Sequence, residues 1–209
     1  MESAIQILIY IHAFFGGLGL LAGFGSIIVK KGSVLHKKMG NLFSIGMITS
    51  SLISLPIAWM PKHENLFLFL IGIFTIYLVL TGNRALKLKK EKSAFPADVL
   101  ISGGMILFSC IMIAMGTYRI INSLSNSILY LFFGGAALFL SIRDFRFYKK
   151  LDKVKNVQLL AHSGKMIGAL IASVTAFIVA GLSLDNLISW ILPTVLGTFY
   201  IIYWKRKIT

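Results

Sequence analysis

The sequence predicts an all-α, polytopic integral membrane protein of seven transmembrane helices, with its N-terminus outside and its C-terminus cytoplasmic. Three observations carry this. The 209 residues are 57% hydrophobic and 13% charged, about half the charged share of an ordinary soluble domain. The apolar residues gather into seven runs, each near the roughly 20 residues that cross a bilayer. The basic residues crowd into alternate connections, as the positive-inside rule asks of cytoplasmic loops. No polar stretch is long enough for a separate soluble body, so residues 1–209 read as a single seven-helix transmembrane domain.

The runs cover residues 5–29, 39–59, 66–86, 97–121, 127–147, 163–182 and 187–204. After the first come Lys30, Lys31, Lys37 and Lys38; after the third, Arg84, Lys87, Lys89, Lys90 and Lys92. Arg143, Arg146, Lys149, Lys150, Lys153 and Lys155 follow the fifth, and Lys205, Arg206 and Lys207 the seventh. Lys165 lies just inside run six on the same side, which leaves Lys62 and Arg119 for the other. The expected location is the inner (plasma) membrane. The first run lacks a basic leader and a small-residue cleavage site, so it reads as a retained helix.

A net charge of +14 in a soluble protein would suggest nucleic acid. Here the charge is topological, so the expected partner is the lipid bilayer and no nucleic acid, with a membrane-protein partner or a second copy left open. Cys110 is the only cysteine and can form no intramolecular disulfide. Pro56 and Pro193 each remove a backbone donor within a run, where a kink is expected. Trp59, Trp190, Trp204, Tyr200 and Tyr203 stand near run ends, as an aromatic belt would.

At about 100° per residue, His12, Gly16, Gly19 and Gly23 share one side of the first helix. That face suits close packing by another helix, or alternatively a lipid or the edge of a flat ligand. Gly164 and Gly168 begin a comparable stripe in run six. His12, ionisable within hydrocarbon, is either a functional group or a neutral imidazole bonded to a neighbouring helix.

At the cytoplasmic ends, His36, Asn41, Asn83, Arg84, Arg143, Asp144, His162, Ser163 and Lys165 fall at one depth. Asp144 directly follows Arg143, and a local ion pair at the headgroups is one reading. The other is that His36, Arg84, Asp144 and His162 converge, the two histidines and the carboxylate ligating a metal, holding a haem edge or relaying a proton. HExxH, Walker A, GxSxG and CxxC patterns are absent from the sequence.

The order of several motifs resembles a bacterial family described only as predicted membrane proteins, a domain of unknown function. The matching pieces are His12-x3-Gly16, KKGSVLHKKMG (30–40), YLVLTGNRALKLKK (77–90), SIRDFR (141–146), AHSGKMIGALIASVTAFIV (161–179), and Trp190-x2-Pro193-x3-Gly197 followed by YWKRK. They span nearly the whole chain. The resemblance implies an architecture and the same suspect residues, and it implies an acid just before the sixth-run histidine, where this chain has Ala161. It implies no activity.

Three functional classes follow, of which haem or redox work at the cytoplasmic-side histidines is the preferred expectation and the other two are alternatives. A haem-binding or redox membrane protein would hold haem b between His36 and His162, with Arg84 or Lys165 near the propionates. A transporter or channel for a proton or small solute would use the prolines, the glycine faces and the buried histidine. A non-catalytic assembly or accessory protein would dock a partner on its polar inner face.

Overall fold

The computed structural model describes residues 2–91, 93–151, 156–184 and 186–208. Lys92, Lys153 and Lys155, counted above among the cytoplasmic charges, lie outside the described residues. Among the described residues every regular element is helical: α1 (Glu2–Ile28), α2 (Val34–Ile57), α3 (Leu66–Glu91), α4 (Pro96–Ile121), α5 (Ser127–Tyr148), α6 (Val157–Ala176) and α7 (Leu187–Ile208). A five-residue π-helical turn, Phe177–Gly181, continues α6. Among the described residues, seven helices are long and apolar enough to cross a membrane.

Several helices outrun the apolar runs at their basic ends. α3 continues to Glu91, α2 begins at Val34 and α6 at Val157. Hydropathy marks where a helix would leave hydrocarbon, whereas backbone hydrogen bonding carries it further into the polar layer. Pro56 falls in the last turn of α2, so the helix ends there instead of continuing through a kink to residue 59.

The chain forms two compact units. The first comprises residues 1–79 and 166–203, and its centre is the α1–α2 hairpin. The turn between these helices is specified locally. Lys31 Nζ donates to the Ser26 and Ile27 carbonyls at 2.7 and 3.0 Å, satisfying two of the orphan acceptors at the end of α1. Gly32 takes φ +78°, a conformation that disfavours any side chain. Ser33 then caps α2, its hydroxyl accepting the His36 N–H at 3.1 Å, a contact worth about 1 kcal/mol.

The predicted glycine face of α1 is the surface on which α2 lies. A side chain added at Gly16 would meet Ser50, at Gly19 Met47, and at Gly23 both Phe43 and Leu170. Gly46 answers from α2, where an added Cβ would stand 2.8 Å from the Phe15 carbonyl oxygen and 2.9 Å from the Gly19 Cα. The stripe in α6 is different: nothing stands within 4 Å of a Cβ at Gly164, and Gly168 has ordinary room beside Leu78. Trp190, expected in the interfacial belt, is buried instead and meets Phe67 edge-on at 5.1 Å.

The second unit comprises residues 80–165 and 204–209. Its hairpin is α4–α5, again closed by glycine: a Cβ at Gly134 would meet Met112 and the Ile113 backbone, and one at Gly116 would meet Leu131. The basic end of this hairpin carries the polar side chains considered next.

Candidate functional site: a buried polar layer

Four helix segments of the second unit contribute polar residues at helical spacing. α4 supplies Asp98 and Ser102, four apart; α5 supplies Asp144 and Tyr148, four apart; α6 supplies His162 and Lys165, three apart. Such pairs stand on one helical face. The last turns of α3 add Thr81, Gly82 and Arg84. Packing brings these faces together into one hydrogen-bonded layer.

At its centre Lys165 Nζ donates to Asp144 Oδ2 at 2.5 Å and to Thr81 Oγ1 at 3.0 Å. The same carboxylate oxygen accepts from Ser102 Oγ at 3.1 Å. Ser102 Oγ also lies 2.8 Å from the Tyr148 hydroxyl, which reaches the Asp98 carbonyl at 3.3 Å. Asp98 in turn takes the Arg84 guanidinium in a two-pronged pair, Nε to Oδ1 and a terminal nitrogen to Oδ2 at 2.7 Å. Relative exposure is 1% for Asp98, 0% for Ser102, 4% for Asp144 and 6% for Lys165. Charges so far from water persist only when paired.

Local sequence explains why each acid is held. Pro96 opens α4, which suits the first helical position because proline lacks the N–H that would be orphaned there. Asp98 then accepts the Phe95 N–H at 2.9 Å, so its carboxylate stabilises the helix start while gripping Arg84. Arg84 is only partly covered, with its side chain 25% exposed, and lies over the Phe95 ring at 5.7 Å. Asp144 has no helix end to cap, so its partners are side chains of other helices.

Among the residues singled out from sequence, Arg84, Asp144 and His162 belong to this unit. Asp144 turns to Lys165, while Arg143 sits over the Phe139 ring at 5.4 Å, because consecutive helical residues point about 100° apart. His162 Nδ1 meets the Gly82 carbonyl at 2.8 Å. His36 belongs to the first unit, where its Nδ1 meets the Ser26 carbonyl at 3.1 Å. A carbonyl only accepts, so each ring carries a proton on Nδ1. His12 Nδ1 lies 2.9 Å from both the carbonyl and the hydroxyl oxygen of Ser50, whose hydroxyl donates to the His12 carbonyl at 3.0 Å. That exchange ties α1 to α2 beside Gly16, as the packing reading of His12 requires.

Asp98, Ser102, Tyr148 and Thr81 were not singled out from sequence. The signal that finds them is a polar residue three or four positions from another within an otherwise apolar span. Among the described residues, no three His, Cys, Asp or Glu side chains gather as a metal ion would require.

Compared with protein-family models, curated proteins and solved structures, the chain matches none.

Proposed function

We propose that the chain is a membrane transport protein for a proton or a small solute, working in the inner membrane with its N-terminus outside and its C-terminus cytoplasmic. The observation that carries this reading is the Asp144–Lys165 contact at 2.5 Å between two buried ends. Apolar side chains would fill that space at lower cost, since desolvating two charges takes several kcal/mol per ion. Ionisable residues within spans mark pathways and relays far more often than they serve packing. Hydroxyls arranged around the pair favour a site that is charged and discharged over an inert clasp. The orientation is supported by the distribution of lysine and arginine.

The function is tested on purified protein in vesicles. An enclosed pH dye reads proton movement, and light scattering reads swelling with glycerol or glycine. Flux of either kind above empty vesicles, lost in a Lys165→Met, Asp144→Leu double variant, is expected. Absence of both fluxes overturns the reading in favour of an accessory role.

Orientation has its own expected result. In a Cys110→Ser background, Lys62→Cys should react with an impermeant maleimide on intact cells, and Lys150→Cys only after permeabilisation. The reverse pattern would invert the whole topology.

A further inference from the structure

We propose that the species handled at the buried pair is the proton, and that Tyr148 and Ser102 form a two-hydroxyl relay delivering it to Asp144 from the cytoplasmic side. This rests on the transport reading above and makes it specific.

Ser102 is the telling residue. Five buried hydroxyls bond backward to their own helix: Ser44 to the Gly40 carbonyl, Thr75 to Ile71, Ser109 to Ile106, Ser141 to Ala137 and Thr175 to Ile171. Ser50 and Thr81 each meet a residue of another helix, His12 and Lys165. Ser102 instead reaches across to α5 and bridges two side chains one turn apart, the Tyr148 phenol at 2.8 Å and the Asp144 carboxylate at 3.1 Å. A phenol, a hydroxyl and a carboxylate in sequence form a path along which hydrogen bonds can hand over a proton. Tyr148 is the last residue of α5 and half-buried, so the path begins at the helix end and runs inward to a serine with no exposed surface.

The step balances without a further reactant. The O–H bond of Ser102 breaks as one forms on Asp144 Oδ2. The Tyr148 proton moves to Ser102 Oγ, and Tyr148 recovers a proton from hydronium at the helix end, which leaves as water. Asp144 becomes neutral, and Lys165 loses its counter-ion while keeping Thr81. The charged and titratable groups around this path are Lys165 and His162 on α6, Arg84 on α3, Asp98 on α4, and Arg143 beside Asp144. Arg84 and Asp98 neutralise one another, so the ammonium of Lys165 is the cation that answers a change of charge on Asp144.

The experiment uses full-length protein in vesicles enclosing a pH dye, with the external pH stepped down. Wild type, Tyr148→Phe and Ser102→Ala are compared, and thermal stability in detergent is the folding control. Both variants leave the Asp144–Lys165 contact in place, so stability should stay close to wild type while proton entry falls about 10-fold, the lower part of the range for a lost proton-transfer group. Wild-type entry should also slow in deuterated water. Proton entry that persists unchanged in both variants overturns the relay and leaves the transport reading standing. Solute flux with no proton entry does the same. If neither variant folds, the isotope comparison decides: equal rates in light and heavy water overturn the relay. Absence of proton and solute flux in wild type removes the transport reading itself.

Discussion

Methionine in place of Lys165 should destabilise the protein by about 3–5 kcal/mol, the usual cost of removing one partner from a buried ion pair. Methionine fills much of the lysine's space, so lost packing contributes little. What remains is the Asp144 carboxylate, 4% exposed, with its ammonium gone and the Ser102 hydroxyl still donating to it at 3.1 Å. Neutral hydrogen bonds between spans average only about 0.6 kcal/mol, so a loss of this size reports charge. Adding Asp144→Leu to Lys165→Met removes the stranded carboxylate and should restore most of the loss, since a pair exchanged for apolar residues is often neutral or better. Denaturant or thermal unfolding in detergent measures both. A single variant as stable as wild type would mean that the pair is not desolvated, and the buried layer would lose its meaning.

Valine in place of Gly46 should cost about 1–3 kcal/mol through overpacking. The atoms its Cβ would meet are the Phe15 carbonyl oxygen at 2.8 Å and the Gly19 Cα at 2.9 Å. Both are backbone, so no rotamer change relieves the clash and α1 must move away from α2. The His12–Ser50 exchange, four residues along α2, would be drawn apart with it. Gly17→Val is the control, because nothing stands within 4 Å of a Cβ at that position. Equal effects of the two substitutions on unfolding in detergent would show that the helices are not held at glycine contact distance.

Helix number and the packing face of α1 were legible in the sequence because each depends on a repeated local property. Hydropathy sustained over about 20 residues and glycines recurring on one face both survive without knowledge of neighbours. Pairing of charges is not local. Adjacency in sequence set Arg143 beside Asp144, yet helical geometry turns them apart and Lys165, on the next helix, takes the acid. Asp98 was hidden for a related reason. Beside Pro96 it reads as an ordinary helix opening, and it does accept the Phe95 N–H, but the same carboxylate is also the counter-ion of Arg84. Only the fold reveals that one group serves both purposes.

The two ion pairs of the layer also bear on the order in which the chain is made. Arg84 and Asp98 are 14 residues apart, and Asp144 and Lys165 are 21. Each pair therefore spans one connection between consecutive helices. A charge buried among apolar side chains costs several kcal/mol until a partner reaches it. Synthesis supplies each partner within 14 or 21 residues of the charge that waits for it. Each charge of the layer can thus be neutralised within one pair of consecutive helices, without waiting for a segment made much later.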